Sequence, residues 1–257
     1  MNGGCAVRFL GTGTSHGVPM IGCHCGTCRS SDPRDRRSRP SILFEFASGA
    51  QVLVDTTPDL RAQALACGLD RVDAILFTHC HADHVMGLDE VRRFNVLQQA
   101  AIPCYGDARS LKEIRRTFAY IFEGADEGGG IPRVHLYPLG GPFSIAGEEF
   151  TPVPVWHGRR EILGFRVRNF AYLTDCSAIP DASWPLLEGI ETLAIDALRH
   201  RPHPTHLTVE QALAVAARLG PRRTWFTHIC HDLPHAATNA SLPAGVELAY
   251  DGLRIDI

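Results

Sequence analysis

No apolar run in the chain approaches the length of a membrane-spanning helix, and no basic-then-apolar stretch opens it. These two absences predict a cytoplasmic protein with no membrane partner. Charge of one sign is also missing in excess. The net charge is -3 at pH 7, with acidic and basic residues mixed along most of the sequence. Nothing global therefore favours nucleic acid or an anionic surface as a partner, and no long basic insertion offers an arm to hold RNA. Nor is an internal repeat legible. Nine cysteines are an odd number in a chain of 257 residues without an export signal, which argues against a disulfide framework. An apolar share of 45% and a charged share of 21% are ordinary for a globular protein with a sizeable core, and 24 Gly with 17 Pro imply tight turns rather than disorder. We expect one domain over residues 1–257.

The densest chemistry lies in His79-Cys80-His81-Ala82-Asp83-His84, which follows the short apolar run Ala74-Ile75-Leu76-Phe77 and a Thr. The run reads as a buried strand, so the histidines sit on the turn that leaves its carboxyl end, where α/β sheets place active sites. Alternation along an extended turn lets His79 and His81 share one metal while Asp83 and His84 point toward a second. Neutral imidazole and carboxylate suit Zn, Mn, Fe or Co. A single loop histidine is by default only polar surface, but four potential ligands in six residues reverse that reading. Cys80 should point the opposite way and is not counted as a ligand.

This stretch resembles the signature of the metallo-β-lactamase superfamily of metal hydrolases. The resemblance extends over nearly the whole chain, because Val153 to Gly158, Ala171 to Asp175 and Trp225 to His228 match further family segments in order. It implies an αββα sandwich, an α/β (α+β) fold of two mixed sheets flanked by helices. It also implies that His79, His81 and His157 bind one ion, that Asp83, His84 and His228 bind a second, and that Asp175 bridges them. Asp55, at a strand end, would orient the metal turn without being a ligand.

Cys23-His24-Cys25-Gly26-Thr27-Cys28 places three thiols within six residues. A closed tetrahedral zinc site fits such spacing, with its fourth ligand either distant or His24. A redox pair is the rival, but no thioredoxin-like strand and helix pattern accompanies it. More narrowly, the chain resembles the phosphoribosyl cyclic phosphodiesterase branch, where a Cys-x-Cys-x-x-Cys loop is closed by a His three residues after the last active-site His. That resemblance assigns Cys23, Cys25, Cys28 and His231 to a structural zinc within a Cys-rich loop at 22–40. Cys5, Cys67, Cys104 and Cys176 lie among apolar or turn residues and receive no chemistry.

Other segments carry weaker signals. Gly11-Thr12-Gly13-Thr14-Ser15 is either a tight turn or a phosphate cradle, and the family places it beside the metals. The arginines of 34–39 are either a solvated loop or a grip for a substrate phosphate. Strands are read at 6–10, 41–46, 51–54, 103–105, 133–137, 143–145, 150–155, 163–167, 170–173, 193–195, 246–249 and 253–257. The last two are taken as a closing hairpin around Asp251-Gly252. Helices are read at 58–67, 88–99, 108–116 and 209–219, the last capped by Thr208 and stopped by Gly220. Glu123 to Gly130 reads as an acidic, Gly-rich surface loop beside the substrate entrance. His206, just before the last helix, is either a bystander or the acid for a leaving oxygen, a role that related enzymes give to a His in this position. His200 and His203 are lesser candidates, and His235 reads as a surface residue.

The resemblance implies a dinuclear metal-dependent phosphodiesterase with two divalent ions, Zn or Mn, and one structural Zn. Its catalytic residues would be His206 and Asp83, and its substrate a small cyclic phosphate such as phosphoribosyl 1,2-cyclic phosphate. A homodimer is common for such folds. The alternatives are a tRNA 3′-processing endonuclease and a non-hydrolytic metal-binding protein of cofactor biosynthesis.

Overall fold

A computed structural model describes residues 4–123 and 130–257. The first half of the chain supplies six strands: β1 (Cys5–Gly11), β2 (Ser41–Phe46), β3 (Gln51–Val54), β4 (Ala74–Leu76), β5 (Ile102–Gly106) and β6 (Val134–Pro138). The second half supplies β7 (Phe143–Ile145), β8 (Glu148–His157), β9 (Arg160–Val167), β10 (Phe170–Leu173), β11 (Thr192–Asp196), β12 (Arg223–Thr227) and β13 (Val246–Leu248). A last strand, β14 (Arg254–Asp256), returns to the first sheet. The two seven-stranded sheets run β14-β1-β2-β3-β4-β5-β6 and β13-β12-β11-β10-β9-β8-β7. Each combines antiparallel hairpins with parallel crossovers, as expected of a mixed sandwich.

Side-chain alternation sorts each strand between two cores. Ile42, Phe44 and Phe46 of β2 point inward and meet Phe150, Phe165 and Phe170 from the other sheet. Leu43, Leu53 and Ile75 point outward under α1 (Leu60–Cys67), α3 (Val91–Gln98) and α4 (Ala108–Thr117). Two shorter helices complete this side, α2 (Ala82–Val85) and α5 (Ala119–Glu123). Across the sandwich, Val153, Leu173 and Ile195 pack beneath Val209, Ala212 and Ala216 of α6 (Val209–Leu219). The helix α7 (His235–Ser241) covers the end of that sheet. Strands buried on both faces explain why several read as unbroken apolar runs.

Local chemistry sets the element ends. Thr208 accepts from the Gln211 N–H and the Gln211 side chain returns the bond, a full capping box, while Gly220 closes α6 at φ 66°. β8 is longer than its apolar core suggests and contains Pro152 and Pro154. It tolerates them because β7 pairs only with Glu148, Glu149 and Phe150, so no ladder N–H is needed at 152 or 154; beyond, Ser183 donates to the Pro154 carbonyl and Trp156 bridges Ala178.

Three expectations need correction. Residues 246–248 and 254–256 do not form a hairpin: β13 pairs with β12 in one sheet and β14 with β1 in the other. Asp251 and Gly252 carry the chain between sheets, and Asp251 accepts from Thr12 and Ser38 through both backbone and hydroxyl donors. His235 is buried, with its backbone N–H on Asp35 and its ring against Tyr250. Of the arginines at 34–39, Arg34 and Arg36 are exposed, as a solvated loop implies, but Arg37 is buried. Arg34 pairs with Asp32, Arg39 with Asp59, and the buried Arg37 donates to Asp35 and to the carbonyls of Cys230 and Leu233. Of the acidic loop predicted at 123–130, residues 124–129 lie outside the described residues.

Candidate metal centre

Strand ends and the turns after them build the site. The turn after β4 carries His79, His81, Asp83 and His84, β8 ends at His157, and Asp175 and His228 follow β10 and β12. Asp55, Asp175 and His228 all adopt left-handed backbone, at φ 65°, 55° and 57°. Such conformations cost a non-glycine residue about 1–2 kcal/mol and concentrate at functional sites.

Potential ligand atoms fall into three principal groups, each with its atoms within 4.8 Å of one another. One is His79, His81 and His157; another is Asp83, His84, Asp175 and His228; the third is Cys23, Cys25, Cys28 and His231. In the second group His84 Nε2 lies 3.1 Å from Asp175 Oδ1, and His228 Nε2 lies 3.2 Å from Asp175 Oδ2. Asp175 also falls within 4.8 Å of ligand atoms of His157 and His206, so it stands between the first two groups.

Hydrogen bonds fix which nitrogen faces the centre. His84 Nδ1 sits 2.7 Å from Asp55 Oδ2, and Asp55 accepts in addition from the Thr78 N–H and hydroxyl. His157 Nδ1 donates toward the carbonyls of Asp175 and Thr205, each at 2.9 Å. Both rings therefore turn Nε2 inward, the arrangement that outer partners of metal-binding imidazoles enforce. Gly158 takes φ 63° immediately after His157, where the Thr205 side chain leaves no room for a Cβ.

Divalent metals fit this cage. His79 Nε2 and His228 Nδ1 are buried without a hydrogen-bond partner, and His84 Nε2 and His228 Nε2 face the Asp175 oxygens without hydrogen-bond geometry, a costly state for polar atoms unless a cation satisfies them. Burial holds the imidazoles of His79 and His157 below their ordinary range, which keeps their lone pairs available. At Asp175 burial works to raise the carboxyl, but His228 and His84 outweigh it and leave it well below the usual carboxylate range.

The thiol group fits zinc equally well. Cys23 Sγ and Cys25 Sγ lie 3.2 and 3.3 Å from His231 Nδ1. The Cys28 N–H is the main influence that draws the Cys25 thiol down to about 6, favouring the thiolate that zinc requires. His24 takes no part in the group. The Gly-rich turn is not a free phosphate cradle. The backbone N–H groups of Thr12, Gly13 and Thr14 go to Asp251, Ser38 and Ile229.

His206 belongs at the centre. It stacks on His228 with ring centroids 4.5 Å apart and meets His157 edge-on at 4.9 Å. Its Nδ1 is 2.6 Å from Asp196 Oδ2. Burial raises the Asp196 carboxyl and lowers the His206 imidazole. Sequence reading missed Asp196. The available signal was a carboxylate at a strand end, the same feature that marked Asp55. His203 lies beside His206 at 5.0 Å, whereas His200 is exposed and pairs with Glu210. Cys80 stays outside every ligand group.

Comparison with known proteins agrees with this architecture. Residues 50–229 match the model of the beta-lactamase superfamily domain. A solved diphosphatase from the PhnP family is 46% identical, covers 99% of this chain and 97% of its own, and superposes with a TM-score of 0.93. The chain therefore belongs to the beta-lactamase superfamily and, within it, to the PhnP family. Zn(2+)-bound PqqB from Methylobacterium extorquens shares the fold at 20% identity and a TM-score of 0.82, covering 98% of this chain and 100% of its own. An octanoyltransferase of Porphyromonas gingivalis is 38% identical over 249 residues, 95% of this chain but 50% of that protein, so the chain spans about half the length of this curated relative. Family and ligand chemistry together define a metal-dependent hydrolase. Among the described residues no helix is long and apolar enough to cross a membrane.

Proposed function

We propose that the chain is a dinuclear phosphodiesterase acting on a small phosphate diester, with phosphoribosyl 1,2-cyclic phosphate or a related nucleotide or sugar diester as substrate. The observation that carries this reading is the position of Asp175, whose two oxygens face His84 and His228 while the residue also approaches His157. A carboxylate so placed would hold a pair of divalent ions between its two oxygens' neighbours. The 46% identical diphosphatase of the PhnP family supports phosphoryl chemistry.

Bound zinc or manganese would supply a nucleophile from water at neutral pH and would neutralise charge growing on the phosphoryl oxygens. The protein's part is to hold and time that chemistry. Asp55 and the carbonyls of Asp175 and Thr205 lock the ligand rings, and Asp83 completes the group around His84 and His228. His206, held through Nδ1 by Asp196, would give an Nε2 proton to the departing oxygen. Cys23, Cys25, Cys28 and His231 staple the loop after β1 to the segment that carries His228.

The test is a side-by-side assay of bis(p-nitrophenyl) phosphate, a ribose cyclic phosphate, a nucleoside diphosphate sugar and a pre-tRNA. Turnover of the cyclic phosphate supports the reading. Cleavage of the diphosphate sugar alone would replace the diester by an anhydride substrate, and cleavage of pre-tRNA alone would make the protein an RNA-processing enzyme. No cleavage of any of them by metal-loaded protein would favour a binding role.

A further inference from the structure

Two of the three imidazoles in the first ligand group are held from behind. His79 Nδ1 lies 3.1 Å from Thr78 Oγ1, and His157 is fixed by two carbonyls. Among the described residues no hydrogen bond holds the His81 ring, which meets only other rings, His79 at 4.4 Å and His157 at 5.0 Å between centroids. Its place depends on its own backbone, whose carbonyl accepts the His84 N–H on one side and which Cys80 anchors on the other.

The Cys80 thiol faces away from the ligands. Its Sγ accepts from Arg160 Nη2 at 3.2 Å, and the same nitrogen donates to Ser110 Oγ at 3.0 Å. Ser110 is fully buried in the first turn of α4, with its N–H on Asp107. Arg160 stands directly opposite His157 in the β8–β9 ladder, and the Leu163 N–H further along β9 reaches the Thr78 carbonyl at 3.0 Å. One hairpin thus supplies a ligand and also grips the turn that supplies the other two. Arg160 Nε is buried with no partner, a cost that an apolar side chain would avoid. Both bonds leave Nη2, whose two hydrogens are fixed in direction by the guanidinium plane, whereas an ammonium rotates freely.

We propose that Arg160 is a positioning residue for the metal turn: it ties Cys80 to Ser110 and so sets where His81 stands relative to His157. The proposal rests on the metal reading given above. Its test is metal occupancy, measured on wild type, Arg160→Ala, Arg160→Lys, Cys80→Ala and the Arg160→Ala/Cys80→Ala double variant equilibrated in graded zinc buffers, with melting temperature followed in parallel. Wild type should fill three sites. Arg160→Ala should need about 10–100-fold more free zinc to fill one of the three, the usual loss when an outer partner is removed, while the other two fill as before. Cys80→Ala should reproduce that shift, the double variant should be no worse than Arg160→Ala, and Arg160→Lys should lie between. Unshifted filling in Arg160→Ala, additive losses in the double variant, or equal weakening of all three sites would overturn the proposal. A wild type that binds only one zinc would instead overturn the metal reading beneath it.

Discussion

His206 Nδ1 and Asp196 Oδ2 lie 2.6 Å apart, and the same relation recurs across the site, where His84 Nδ1 lies 2.7 Å from Asp55 Oδ2. In each case a carboxylate at a strand end grips an imidazole from behind. The two grips serve different ends, because His84 sits within a ligand group of four whereas His206 stacks on that group from outside.

An acid acts on the leaving group, so its loss should depend on what leaves. His206→Ala should lower kcat about 10²–10⁴-fold on a ribose cyclic phosphate. On bis(p-nitrophenyl) phosphate the loss should be far smaller, since nitrophenolate departs without a proton. Asp196→Ala should shift both substrates the same way by less, with metal content unchanged. Equal losses on both substrates would remove His206 from the acid role.

The proposed zinc staple should be separable from the centre. Cys25→Ser should remove one metal per chain and lower the melting temperature, because metal binding to such a loop contributes folding energy. An unchanged metal count by elemental analysis would show that the thiols are not ligands.

Burial pushes the Asp251 carboxyl up to about 6, with hydrogen bonds from Ser38 and Thr12 working against it. The folded chain then holds a proton that the unfolded chain has released. The associated stability is full below the unfolded pKa of about 4 and is lost as pH rises through about 6, an effect of roughly 3 kcal/mol. Melting curves between pH 4.5 and 7 should show wild type losing stability relative to Asp251→Asn as pH rises. Parallel curves would contradict this sign.

Arg37 is buried and donates to the carbonyls of Cys230 and Leu233 on either side of His231. Arg37→Ala should cost about 3–5 kcal/mol in chemical denaturation, since Asp35 would keep a buried charge without its partner. A loss below 1 kcal/mol would return Arg37 to the surface role that its charged neighbourhood suggests.

Much of this was legible in the residues, for reasons that also explain the failures. The metal turn announces itself because its ligands are contiguous, and α6 because its cap, periodicity and stop agree. Asp196 was silent because its partner lies ten residues away across a loop, and spacing does not encode that contact. Asp251-Gly252 has the chemistry of a hairpin turn, but the two flanking strands add to opposite sheets, a choice made by the sandwich and not by the turn. Arg37 sits in a charge-rich segment that reads as solvated, and only its carbonyl partners from the far end of the chain bury it.

The most direct test of the account is metal content and diester hydrolysis measured together on wild type and Asp175→Ala. Wild type should hold about three metals and turn over bis(p-nitrophenyl) phosphate, with activity lost on chelation and restored by added metal. Asp175→Ala should keep its circular dichroism and the Cys-loop zinc while losing active-site metal and activity. A variant that retains three metals and normal turnover would contradict the assignment of Asp175 as the bridge between two ions.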